Sequence, residues 1–131
     1  MVDVSFISLR LVLEPIASTF DAAGGDLVPL VKPQFEAGRA DVPHGVVRDP
    51  AVHGRVLREV VEAAQGAGIE PVDVIESPIQ GPEGNREFLL HLRVPPTERR
   101  LERTSIGVDR AWPMPAPMAA RIDAIARGVA A

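Results

Sequence analysis

The chain's 131 residues are 46% hydrophobic and 24% charged, the length and composition of one folded domain rather than a disordered segment. A net charge of −4 and a pI near 5.3 argue against strong stand-alone nucleic-acid binding, which depends on basic surface. The absence of cysteine excludes disulfides, zinc–thiolate sites and thiol nucleophiles and fits a reducing cytoplasm, and no apolar run reaches the roughly 18 residues that span a bilayer.

Val2 to Ile7 reads as the end of a buried strand running into a loop, so the sequence is expected to open partway through a fold. With Asp3 in place of a basic leader, this start does not read as a signal peptide. Ser8 is the expected N-cap of a helix whose apolar face is Leu9, Val12, Leu13, Ile16 and Phe20, with Pro15 kinking or shortening it. After Gly24-Gly25, the apolar run Asp26 to Lys32 predicts a strand covered on both faces, although Pro29 is awkward in any ladder. A glycine-bearing loop is expected over Gln34 to Arg48. The helix that follows is the best marked: Asp49 as cap, Pro50 at N1, Val52, Val56, Leu57, Val60 and Val61 as the buried stripe, Gly66 and Gly68 as stops. Strands are predicted at Ile69–Ile75 and Glu87–Val94, joined through the turn Gly81-Pro82-Glu83-Gly84. The whole is an α/β pattern in which the last two strands form an antiparallel pair at one sheet edge. Beyond Val94 the composition turns polar and then proline-rich. Trp112 is placed to pin this tail to the body, and Met118, Ile122, Ile125 and Val129 mark a short terminal helix.

Three ionisable residues stand at strand ends: Asp3, Lys32 and Glu87. In an open α/β sheet ligands collect at the carboxyl ends of the parallel strands, and an antiparallel last strand would start at that same edge. Two carboxylates around one amine could orient and deprotonate a hydroxyl. The plainer alternative, an ion-paired cluster at a sheet edge, is commoner from spacing alone. Thirteen of the 14 basic residues are arginine, and a GC-rich genome accounts for that bias. The exception, Lys32, points to a position that needs an amine able to give up its proton, which arginine cannot do. His44, His53 and His91 lack metal-ligand spacing and read as structural loop, helix-surface and strand residues. Phe6 and Phe35 could stack on a base, but core packing is the commoner fate. The arginines from Arg93 to Arg110 alternate with Glu98, Glu102 and Asp109, as on a solvated, salt-bridged face.

Four segments in register add a more specific signal. Asp3-Val4-Ser5-Phe6-Ile7-Ser8-Leu9 is followed by Leu30-Val31-Lys32-Pro33-Gln34-Phe35-Glu36 with Gly38-Arg39, by Gly45-Val46-Val47-Arg48-Asp49-Pro50, and by Ser77-Pro78-Ile79, Gly81-Pro82 and Gly84-Asn85-Arg86-Glu87-Phe88. In order and spacing, over about residues 2 to 94, they resemble the TlyA family, the hemolysin-named ribosomal RNA methyltransferases with an FtsJ-like catalytic domain. The resemblance implies methyl transfer from S-adenosylmethionine to a ribose 2′-hydroxyl by a Lys-Asp-Lys-Glu tetrad, whose last three members fall on Asp3, Lys32 and Glu87. It also implies that Asp3, Val4 and Ser5 border the donor. The tetrad's first lysine, the glycine-rich donor loop and the small RNA-binding domain precede the matched region in the family. Here Val42-Pro43-His44 stands where glycine-lysine-glycine is usual, and Pro29 replaces a small strand residue.

The expected fold is therefore the C-terminal half of a Rossmann-like, S-adenosylmethionine-dependent methyltransferase sheet over residues 1–94, followed by a proline-rich segment and short helix over 95–131. Expected partners are ribosomal RNA or a ribosomal subunit and the missing N-terminal half of the domain. A homodimer through an open sheet edge is a further expectation. The competing reading is a non-catalytic fragment or interaction module of the same fold. Membrane lysis, the literal sense of the hemolysin name, is disfavoured because no segment can span and no helix carries a basic polar face.

Overall fold

The computed structural model describes residues 11–97 and 112–129. Helix α1, Leu13–Ala17, carries Pro15 at its third position, where the N–H groups of a first turn have no internal partner and proline costs no hydrogen bond. Leu13 and Ala17 are buried, and Val12, Ile16 and Phe20 pack on the same core, so the described part of the predicted stripe faces inward, while Leu9 lies outside the described residues. Its predicted N-cap, Ser8, lies outside the described residues.

Strands β1, Gly25–Leu27, and β2, Leu30–Val31, share one antiparallel ladder on β4, Phe88–Val94. The ladder is continuous in register, since Leu27 faces Leu92 and Leu30 faces Leu89. The single predicted strand is split because Pro29 accepts from the Leu90 N–H at 3.1 Å but has no N–H to return. Nor is it covered on both faces: Leu27 and Val31 are buried while Asp26 is exposed. Gly24, at φ +73°, lies so close to the Val94 carbonyl that a Cβ there would overlap it.

Residues 34–48, expected as a loop, contain the short helix α2, Pro33–Glu36, and two 3-10 turns at Arg39–Asp41 and Pro43–Gly45. Pro33 opens α2 because its φ is already helical and its missing N–H is not needed.

Helix α3, Pro50–Gly66, begins as its sequence predicts: the Asp49 carboxylate accepts from the Ala51 N–H at 3.0 Å and Pro50 sits at N1. Its end is a Schellman motif. Gly68, at φ +78°, donates to the Gln65 carbonyl at 3.0 Å and Ile69 donates to the Ala64 carbonyl at 2.9 Å. Val52, Val56, Leu57, Val60 and Val61 are all buried.

Strand β3, Glu70–Glu76, pairs antiparallel with the other side of β4, with one bulge between Pro71 and Asp73. β4 is thus the central strand of the described sheet. Along it Phe88, Leu90, Leu92 and Val94 are buried while Leu89, His91 and Arg93 are half-buried, a strict period of two.

Helix α4, Ala116–Ala126, packs on α3 and β3. Met118, Ile122 and Ile125 are buried, but Val129, predicted in the same stripe, is 50% exposed because the helix has ended at Arg127 and turned through Gly128. Trp112 is buried, its carbonyl accepting from Gln65 Nε2 at 2.8 Å, and so ties the tail to α3. Arg58 pairs with Asp123 and Arg121 with Asp73 across the α4 contacts. Exposed pairs of this kind contribute roughly 0–1 kcal/mol each, so packing dominates.

That packing makes one glycine critical. A Cβ on Gly54 of α3 would overlap the Ala126 Cβ of α4. Alanine normally favours a helix interior over glycine by about 1 kcal/mol. Gly54→Ala is nevertheless expected to destabilise the chain by about 1–3 kcal/mol, because the two helices must separate. Urea titration checks this, and a stabilised variant would show that the helices do not approach so closely. Among the described residues, no helix is long and apolar enough to cross a membrane.

Candidate functional site at the strand-end edge

The last pair of the β2–β4 ladder is Val31 with Phe88, so Lys32, which follows it, and Glu87, which precedes it, stand at the same end of that ladder. Lys32 is half-buried and extended at the N-cap of α2, at φ −109° and ψ 96°. Asp3, Val4 and Ser5 lie outside the described residues.

Glu87 is only 6% exposed. Its carboxylate accepts from Gln34 Nε2 at 3.0 Å, and its backbone carbonyl accepts from the Ser77 N–H at 2.8 Å. Gly81 lies against that carboxylate with no room for a Cβ.

Asn85, 2% exposed, joins the two loops around this edge. Its Oδ1 accepts from the Val47 N–H at 3.0 Å and its Nδ2 donates to the Gly45 carbonyl at 2.9 Å, so one side chain imitates a ladder partner for residues 45–47. Its own carbonyl accepts from the Gly81 N–H at 2.8 Å. Neither Gln34 nor Asn85 was singled out by sequence reasoning, although both stand inside the quoted motifs. A polar residue next to a strand-initiating apolar run was the available signal.

His53 corrects an expectation. It is not on the helix surface but 1% exposed, its ring centroid 5.5 Å from that of Phe88. The Val47 carbonyl can only accept, so Nε2, 3.0 Å away, carries the proton. Nδ1 is then an unprotonated, buried nitrogen with no hydrogen-bond partner among the described residues. Burial, the largest influence, holds the imidazole's pKa below its usual 6.5. Its unfolded counterpart binds a proton first as pH falls. Stability from this residue is therefore fully present above pH 6.5 and is lost as pH drops from there to the depressed folded value, by at most about 1.4 kcal/mol per pH unit. His53→Leu should flatten the dependence of the urea midpoint between pH 7 and 5.5, and an unchanged slope would contradict the assignment. Asp26, whose pKa is lowered chiefly by its hydrogen bond from His91, titrates below that window.

At this edge the described residues offer an amine, a carboxylate and two carboxamides, a set suited to orienting and deprotonating a hydroxyl. They are not a set that encloses an adenosyl group. Among the described residues, one cavity of about 220 Å³ lies elsewhere, on the open sheet face between Val28, Ile75 and His91, and another lies beside α1 at Leu11 and Glu14.

Fold and site together define a mixed α/β protein whose strand-end edge carries an amine and a buried carboxylate. A family model described as FtsJ-like methyltransferase matches residues 1–94. The chain belongs to the FtsJ-like methyltransferase family. A Bacillus subtilis protein named as an rRNA methyltransferase is 50% identical over 95 residues, 72% of this chain and 34% of its own length. The 16S/23S rRNA (cytidine-2′-O)-methyltransferase TlyA of Mycobacterium tuberculosis is 46% identical over 100 residues, 76% of this chain and 37% of its own. A solved structure from Streptococcus thermophilus that bears the hemolysin name superposes with a TM-score of 0.75 at 36% identity, covering 97% of this chain and 40% of that one. The chain thus spans a little over a third of the relatives it matches.

Proposed function

We propose that these residues form the acceptor side of an S-adenosylmethionine-dependent methyltransferase acting on ribose 2′-hydroxyl groups of ribosomal RNA. The observation that supports this reading is that Lys32 and the buried Glu87 flank the last pair of one ladder, at the same strand-end edge. When bound, S-adenosylmethionine supplies an electrophilic methyl group. Glu87, fixed by Gln34, orients the amine of Lys32, and Lys32 takes the proton from the 2′-hydroxyl as its oxygen becomes nucleophilic. Asp3 is the third member by family resemblance.

An amine accepts a proton only in its neutral form, a form that a nearby cation favours. The family resemblance gives that role to the tetrad's first lysine. The acidic charge balance likewise assigns the grip on RNA to segments outside this chain.

The test is a chimera in which this chain replaces the matching residues of the Mycobacterium tuberculosis relative. It is expected to transfer tritiated methyl from S-adenosylmethionine into ribosomal RNA, whereas residues 1–131 alone transfer none. A folded chimera without transfer would overturn the reading, and transfer by the 131 residues alone would overturn the division of labour.

A further inference from the structure

Glu87 sits in a space that exists because residue 81 has no side chain. Gly81 is held in place by its neighbours: its N–H donates to the Asn85 carbonyl at 2.8 Å, and its carbonyl accepts from the Gly84 N–H at 3.2 Å. Asn85 is in turn fixed by both its carboxamide bonds to residues 45–47. The Gly81 backbone is therefore a rigid wall, not a loose loop. A Cβ built on it would overlap Oε2 of Glu87, with the carboxyl carbon also too close. That same Oε2 is the atom to which Gln34 donates at 3.0 Å. The carboxylate is thus bracketed between a backbone that comes close because it lacks a Cβ and, among the described residues, one carboxamide donor.

Gly81 is not explained by backbone conformation, because its φ lies outside the range that favours glycine, unlike Gly84 at φ +83°. We infer that Gly81 is a positioning residue, whose missing side chain sets where the Glu87 carboxylate stands at the edge it shares with Lys32. This rests on the reading of Glu87 as part of the proton-handling set. The group that a Cβ would strike is the far end of a flexible side chain, so Gly81→Ala should fold while moving the carboxylate by about 1 Å or more. Displacement on that scale in a catalytic group costs up to about 100-fold in rate.

Two readouts separate this from a general structural role. In the 131-residue chain, nuclear magnetic resonance of the Gln34 carboxamide is expected to show one exchange-protected proton in the unmodified protein. In Gly81→Ala that protection should be lost while the backbone amide spectrum is otherwise kept. In the chimera, Gly81→Ala should lower kcat by roughly 10- to 100-fold with KM for RNA little changed. Glu87→Asp withdraws the carboxylate by one methylene and makes room. Adding Gly81→Ala to Glu87→Asp should therefore cost almost nothing further. Equal losses in both backgrounds would overturn the inference, as would unchanged Gln34 protection in Gly81→Ala. If Gly81→Ala alone does not fold, recovery of folding in the double variant supports the inference, and failure of both overturns it. Full activity in Glu87→Gln would sink the proposed function instead, and the Gln34 resonance would still report on the bracket.

Discussion

Lys32→Ala in the chimera is expected to abolish methyl transfer, with a loss of about 100- to 10,000-fold, the usual range for a lost general acid–base group. Lys32→Arg should fail nearly as badly, although it keeps the charge and most of the length. A guanidinium stays protonated throughout the accessible pH range and cannot take a proton from a hydroxyl. If Lys32 served only to bind the RNA phosphate backbone or to pair with Glu87, arginine would substitute well and the loss would appear in KM. The two substitutions together therefore separate a proton-handling amine from a fixed cation. Single-turnover transfer at saturating RNA measures it, and normal turnover by Lys32→Arg would refute the role assigned to this residue.

The second large effect concerns folding. Phe88→Ala is expected to destabilise the chain by about 3–5 kcal/mol, because it removes a fully buried ring and leaves a cavity. Phe88 opens the central strand, faces Val31 on one side and Glu76 on the other, and stacks its ring at a tilt on His53. Domains of this size have only about 5–15 kcal/mol to lose. Phe88→Leu, which keeps most of the volume, should cost less than about 1.5 kcal/mol. Because Glu87 is the adjacent residue, the alanine variant should also lose the carboxylate geometry before it unfolds completely. Urea midpoints of the two variants check the order, and equal losses would show that the ring is not the central packing element.

Much of this was legible in the sequence because it depends on local chemistry. Asp49-Pro50 and Gly68 delimit α3 through caps that a few residues determine, and the stripe from Val52 to Val61 follows helical period. The alternation from Phe88 to Val94 announces a strand with one buried face. What the sequence did not yield depends on long-range contact. Nothing near Pro29 predicts that one missing N–H splits a strand whose register then continues. His53 was expected on the helix surface, yet it shares the helical period of Val56, Leu57 and Val60, and the loop carbonyl of Val47 and the ring of Phe88 cover it. The site shows the same division. Lys32 and Glu87 were expected at strand ends, and they flank the last pair of one ladder. Gln34, Gly81 and Asn85 build the surroundings of Glu87 through contacts spanning loops far apart in the sequence, which no periodicity encodes.

The central claim is that the acceptor is a ribose hydroxyl. Alkaline hydrolysis of the tritiated RNA product tests it directly, because strand cleavage by alkali requires a free 2′-hydroxyl. Ribosomal RNA labelled by the chimera should yield its tritium in alkali-resistant dinucleotides, and the Lys32→Ala chimera should leave that fraction unlabelled. Tritium released in mononucleotides carrying a methylated base would contradict the proposed chemistry, whatever the rate of incorporation.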